Sequence, residues 1–444
     1  MLSHNRNLKI LKTAAGFLLA LSIGCTALPD QTESRSGEVL IIYSGNALGE
    51  LKPCGCDKEE DQGGIERRMS YLKQVQEPNT LLVDLGDNFK ESTRQGKLKA
   101  QTMMKALARM SYDAITLGDK DLLYGNKFLN GLQNIPWVAA NLQLEGLTLP
   151  ASRTKVLANG LKVLVIAVAD PSLFYASSDS NIKLNDPRVA LQQELKAARK
   201  RESPDLVVVL THMPREKGIT FLDLPGADVV INGHIEKDSD LIDMNPVQKA
   251  GKIFLQPGPL GQKMGELRVR IHPDGRKTYQ QKMVRLGSKA SMDPEMTQLY
   301  DAYNTEVEKL FMATLSAKRK QKQNRVYATE QTCLTCHSKE HDRWSQTGHS
   351  RAYAVLQEAN KSFDPECLAC HTVGFGKPGG FISEIDTPEL KNVQCEMCHG
   401  ARLEHTRNPK GGFAKEARAA CGTCHVKKHS PKFDFGRYWP RIRH

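Results

Sequence analysis

The sequence lacks any apolar run long enough to cross a bilayer as a helix. The stretch Phe17-Leu-Leu-Ala-Leu-Ser-Ile23 near the N-terminus is too short, so no segment qualifies as a membrane-spanning helix. Aliphatic side chains are also scarce between residues 326 and 444, and no hydrophobic period is sustained there. That scarcity excludes a core made from side chains alone, because a small domain needs a large buried apolar fraction to fold. Something other than protein must fill its interior.

Cysteine is what that segment has instead. Of the eleven cysteines in the chain, eight fall in four Cys-x-x-Cys-His motifs. These are Cys333-Leu-Thr-Cys336-His337, Cys367-Leu-Ala-Cys370-His371, Cys395-Glu-Met-Cys398-His399 and Cys421-Gly-Thr-Cys424-His425. Two thiols at this spacing reach the two vinyl groups of one porphyrin, and the following histidine lies under the iron. Structural zinc sites also use paired Cys-x-x-Cys elements but have no need of a trailing histidine. The repetition therefore predicts four covalent haem c groups, with His337, His371, His399 and His425 as proximal ligands. Five further histidines in the segment, His341, His349, His405, His429 and His444, are candidates for the opposite axial positions. Bis-histidine iron changes little on reduction and suits electron transfer to redox partner proteins.

The net charge of +12 would ordinarily suggest an anionic partner such as nucleic acid. Eight haem propionates offset most of it, about eight negative charges if all ionise, so nucleic acid is not expected. Arg6, Lys9 and Lys12 precede the Phe17–Ile23 stretch and complete the pattern of a secretory leader over residues 1–24. Its removal would leave a charge of +9. Gly24-Cys25 resembles the processing point of a bacterial lipoprotein, which implies a lipid anchor on Cys25. Ordinary signal cleavage nearby is the simpler alternative. Either way the expected location is outside the cytoplasm, periplasmic or on the outer membrane of a bacterium.

Residues 37–287 read as an α/β domain. Strand-length runs recur at Val39–Tyr43, Leu81–Leu85, Trp137–Ala140, Val163–Val168, Leu206–Leu210 and Val229–Ile231. Helical segments separate several of them, including one from Pro187 to Lys200 opened by Asp186-Pro187. Residues 288–325 form a linker with a helix from about Asp293. Its stripe of Met296, Leu299, Tyr300, Tyr303, Val307, Leu310 and Phe311 is expected to pack on a neighbouring domain, with a dimer seam as the alternative. Residues 326–444 form the haem domain.

Acids and histidines follow the strands of the α/β domain: Asp87, Asp119, His212 and His234. Such groups at adjacent strand ends converge in space and suit metal ions that clamp a phosphate. Their order, with Gly63-Gly64-Ile65, Asp113 to Gly118, Asn141 and Gly258-Pro-Leu-Gly261, resembles the metallophosphoesterase domain of the 5′-nucleotidase family. The resemblance implies a sandwich of two sheets flanked by helices. It also shows departures. Asn46-Ala-Leu48 stands where the family has Asp-x-His, Lys120 where it has a catalytic His, and Gly233-His234-Ile-Glu236 where it has Gly-His-x-His. One metal loses its ligands. The other keeps Asp87, His212 and His234, with Asp119 in place of Asn, so one bound divalent ion is one reading; the alternative is that Asp87 and Asp119 cap helices and pair with Lys120, with no metal.

The remaining cysteines, Cys54 and Cys56, form Cys-Gly-Cys near the lost metal position. A structural disulfide, a thiolate pair for a soft metal and a redox dithiol coupled to the haems are the three readings. Cys54, Cys56 and Lys120 are the candidate catalytic residues. In the haem segment, Tyr327 to Leu356 with Trp344, Thr347 and His349, and Cys395 to Gly400 followed by His405, resemble the tetrahaem cytochromes that accept electrons from hydroxylamine oxidoreductase in nitrifying bacteria. Ser430-Pro431, Phe433, Tyr438 and His444 extend the likeness. It implies distal roles for His349, His405 and His444, in a small, mainly α-helical multihaem domain. Some relatives keep one five-coordinate haem. An electron carrier with a degenerate nucleotidase-like module is the reading favoured by these motifs. A working phosphoesterase with tethered haems, and a thiol or small-oxyanion reductase, are its rivals.

Overall fold

The computed structural model describes residues 35–53, 61–132, 134–174, 182–235, 243–319, 324–410, 417–426 and 429–444. The leader, Cys25, Cys54, Cys56 and Glu236 lie outside the described residues. Two sheets build the N-terminal part. The first has five strands in the order Lys277–Arg285, Lys263–Ile271, Gly37–Ser44, Thr80–Asp84 and Ala114–Ile115. The second has six: Val247–Lys249, Lys252–Leu255, Val229–Asn232, Leu206–His212, Lys162–Ala169 and Ser152–Val156. A separate pair joins Leu142–Leu144 to Ile182–Leu184.

Side-chain alternation decides the layering. Val39, Ile41 and Tyr43 of one sheet meet Val163, Val165, Val208 and Leu210 of the other in a shared core. Their neighbours Leu40 and Ile42 face helices Ile65–Val75 and Arg94–Arg109. On the far side, Leu164, Ile166, Val207 and Val209 face helix Pro187–Glu202. Both sheets are thus buried on two faces, the arrangement that uninterrupted runs of β-branched residues encode. The Asp186 carboxylate accepts the N–H groups of Arg188 and Val189, which starts the last of these helices where Asp-Pro predicts it. Trp137–Ala140 differs from its expectation. It forms a single bridge to Ile115, and its next N–H groups bond to Ile115, Pro150 and Ala167, so no continuous ladder develops.

Helix Pro294–Arg319 starts at Asp293, whose carboxylate accepts the N–H groups of Glu295 and Met296. Its stripe of Met296, Leu299, Tyr300, Tyr303, Val307, Phe311 and Leu315 is buried within the chain. The same core continues into Tyr327, Tyr353, Leu356, Phe363 and Leu368 of the C-terminal part. The stripe therefore joins the two parts of one molecule. The C-terminal part consists of short helices, and each Cys-x-x-Cys-His motif sits on or at the end of one: Glu330–Leu334, Pro365–His371, Cys395–His399 and Arg418–Cys424.

Candidate functional site

The strand order gathers four ligating groups at the carboxyl ends of parallel strands, where open α/β sheets present their binding sites. Asp87 follows strand Thr80–Asp84, Asp119 follows Ala114–Ile115, His212 ends Leu206–His212, and His234 follows Val229–Asn232. One ligand atom from each lies within 4.8 Å of the others. His212 Nε2 is 2.8 Å from Asp119 Oδ1 and 3.7 Å from Asp87 Oδ1. His234 Nδ1 stands 3.5 Å from Asp119 Oδ1 and 4.0 Å from Asp87 Oδ2. That nitrogen is buried and makes no hydrogen bond.

The backbone around the cluster is fixed by groups of its own. Asp87 adopts a left-handed conformation, with φ of 55°. Fully buried Asp121 holds it there by accepting the N–H groups of Asp87 and Asn88, each at 2.8 Å, and of Gly118 at 2.9 Å. Burial and the Asp87 charge push Asp121 up to about 7, against the pull of those three donors. Asp84 accepts from the Asn88 amide at 2.8 Å and braces the same loop. Electrostatics shape the ligands too. Burial alone would raise Asp119, but the hydrogen bond from His212 and the adjoining His234 ring hold it well below the carboxylate range. Burial would lower His212, yet the charge of Asp87 and the contact with Asp119 raise it.

Two carboxylates and two imidazoles of this kind fit one divalent cation of the zinc type. The unpartnered His234 nitrogen, aimed at both acids, is the observation that carries the fit. The neighbouring position is different. Leu48 is buried, and the Asn46 amide donates to the Gly233 carbonyl, tying the first loop to the last. Lys120 Nζ sits 3.3 Å from Asp87 Oδ2. No second cluster of ligating groups occurs among the described residues.

In the C-terminal part, histidine rings come together in pairs. His337 and His405 have centroids 6.4 Å apart, His349 and His425 6.0 Å, and His399 and His444 5.9 Å. Two imidazoles on opposite faces of a first-row metal, each bonded at roughly 2 Å, put their centroids about 6 Å apart. Each pair combines one motif histidine with one of the five spare histidines, so the rings fit three bis-histidine haems. Burial lowers the basicity of His349, His399 and His425, which favours the neutral, ligating form. His371 is placed otherwise. Its Nδ1 lies 2.6 Å from the Ala352 carbonyl, a bond that leaves Nε2 for iron. Among the described residues no second histidine stands at axial spacing from it. His341 is engaged by Glu330 at 2.7 Å, and His429 joins none of the three pairs.

The motifs also lie against each other. Cys333 of the first motif neighbours Cys395 of the third, and Cys370 of the second neighbours Cys424 of the fourth. A cleft runs past Cys333, His337, His349, Cys398, His399 and His444. One residue that sequence reasoning missed is Glu396, inside the third motif. Its buried carboxylate accepts the N–H groups of Ala328, Thr329 and Arg402 and locks the start of the domain onto that motif. Its place between the two cysteines was the only signal.

Comparison with known proteins divides along the same line. The family described as cytochrome c554 and c-prime matches residues 332–400. Cytochrome c-554 of Nitrosomonas europaea is 32% identical over 102 residues, covering 20% of this chain and 42% of the relative. The 5′-nucleotidase of Rattus norvegicus is 28% identical over 261 residues, covering 53% of this chain and 44% of the relative. The chain thus spans less than half the length of each. Among solved structures, a 5′-nucleotidase precursor from Thermus thermophilus superposes with a TM-score of 0.53 at 19% identity, over 61% of this chain and 59% of that one. A 5′-nucleotidase-like metallophosphoesterase fold in the N-terminal part is therefore joined, in this one chain, to a cytochrome c554 domain at the C-terminus.

Proposed function

We propose that this chain is an exported tetrahaem cytochrome that relays electrons between redox partner proteins, attached to a membrane through a lipid on Cys25. Its N-terminal domain serves as a one-metal binding and docking module. The three histidine pairs at axial spacing carry this reading. When bound, haem supplies a one-electron couple at each site. The chain's own contribution is to hold two neutral imidazoles at three sites and one at the fourth. The leader pattern and the extracytoplasmic setting of covalent haem attachment support export.

Hydrolysis is disfavoured by the site itself. A two-metal mechanism needs both attacking and leaving oxygens clamped. Leu48 cannot coordinate a first ion, the Asn46 amide is engaged by the Gly233 carbonyl, and Lys120 stands where the family pattern has its catalytic imidazole. Asp87, Asp119, His212 and His234 would hold one ion, which supplies a Lewis-acid centre for a small anionic ligand. The test is made on holoprotein matured in a host that attaches haem c. Four haems per chain, reversible reduction, one non-haem metal and no release of phosphate from AMP are expected. Nucleotide hydrolysis abolished by Asp87→Ala would overturn this reading in favour of a phosphoesterase.

A second reading has one specific observation behind it. Among the described residues no second histidine faces His371, whose Nδ1 is held by the Ala352 carbonyl; a haem held there would keep an open face, which would suit reduction of a small ligand better than simple relay.

A further inference from the structure

We propose that Lys99, a side chain of the N-terminal domain, sets the reduction potential of one haem only: the one attached through Cys367 and Cys370. The inference rests on the tetrahaem reading above.

Helix Pro365–His371 carries this motif, and the N-terminal domain grips its first turn. Asp364 caps the helix by accepting the Glu366 N–H at 3.1 Å. The same carboxylate accepts the side-chain amide of buried Gln95 at 2.8 Å. One turn along helix Arg94–Arg109, the Lys99 ammonium meets Glu366 at 2.6 Å. The pair is partly shielded, with side chains 16% and 35% exposed. Gln95 also bonds to the Tyr303 hydroxyl at 3.1 Å, so linker, N-terminal domain and haem helix are fixed together.

The charges around the attachment thiols differ between motifs. Cys367 is surrounded by Asp364, Lys361, Glu366 and Lys99. Cys333 and Cys395 face the carboxylates Glu330 and Glu396 instead. Lys99 thus brings a cation from the other domain to the thiol of the haem whose histidine is unpaired. A cation near haem disfavours the extra positive charge of the ferric state and raises the potential. A carboxylate does the reverse. Little of either effect is screened in a partly buried pair. Because Lys99 and Glu366 neutralise each other, removing one exposes the full charge of its partner. The electron affinity of the open-faced haem thereby becomes a property of the N-terminal domain.

The experiment is a potentiometric titration of full-length holoprotein, following the high-spin signal by electron paramagnetic resonance. Lys99→Met should shift that haem's reduction equilibrium toward the ferric state by threefold or more, about 28 mV at 59 mV per tenfold. Glu366→Gln should shift it the opposite way, and the double variant should return near the parent value. Lys99→Arg should leave it in place. The three low-spin haems should not move. No shift in either single variant, or an equal shift of all four haems, overturns the inference. A holoprotein with no separate high-spin haem overturns the reading beneath it and the inference with it, a failure visible before any variant is made.

Discussion

Replacing His405 by alanine should convert one low-spin haem to high spin and leave the others alone. The size of the change follows from counting. Four motif histidines are present, and three have a second ring at 5.9 to 6.4 Å. The parent holoprotein should therefore hold three low-spin haems and one high-spin haem. Loss of His405 leaves His337 alone, so the high-spin share should double, from one haem in four to two. His349→Ala and His444→Ala should each do the same at a different iron. His341→Ala is the internal control. Its ring is held by Glu330 and faces Trp344, and its loss should leave the ratio unchanged. Integrated electron paramagnetic resonance of the oxidised protein, with haem content measured in parallel, reads both numbers. Four low-spin haems in the parent would refute the assignment of His371 as unpaired. An unchanged ratio in His405→Ala would refute the pairing of His405 with His337.

Other consequences concern the scaffold. His234→Ala should lower affinity for the single divalent ion by more than about 100-fold, beyond what loss of an outer-shell partner costs, as read by metal content after dialysis. Asp121→Asn, measured at about pH 8 by chemical denaturation, should cost at least about 2 kcal/mol, because an amide nitrogen must face one of three buried N–H donors. Phe311→Ala should cost about 3–5 kcal/mol and split unfolding into two transitions, since this ring lies in the core shared by both parts. Asp293 gives a pH dependence. Burial opposes ionisation, but the Lys73 hydrogen bond and the N–H groups it caps depress its folded value below 3.8. Its contribution is therefore present above 3.8 and lost as pH falls through the depressed value, so the stability gap between parent and Asp293→Ala should close in acid.

What the sequence revealed was local. Cys-x-x-Cys-His needs five consecutive residues, and Asp186-Pro187 announces a helix by its own chemistry. Residues that follow buried strands are legible because parallel sheets bring strand ends together whatever the loops do. The pairing of histidines was not legible. His405 meets His337 and His349 meets His425 through packing between distant segments, and nothing in the spacing of five spare histidines favours one match over another. The linker stripe shows the same limit from the other side. Its period declares a buried face, but only the fold reveals that both parts of the molecule cover it.

The first-metal position joins these two kinds of information. In the sequence Asn46 and Leu48 stand where the family pattern has Asp and His, which reads as loss. The structure shows what replaced it: Leu48 is buried, the Asn46 amide holds the Gly233 carbonyl, and Lys120 sets a fixed positive charge beside Asp87. A buried carboxylate without compensation is costly, and Lys120 supplies Asp87 with a cationic partner. Here the cation is built into the chain. The Lys120–Asp87 pair and the Asn46–Gly233 contact thereby hold the loops around Asp119, His212 and His234, the groups that the proposed single ion would use.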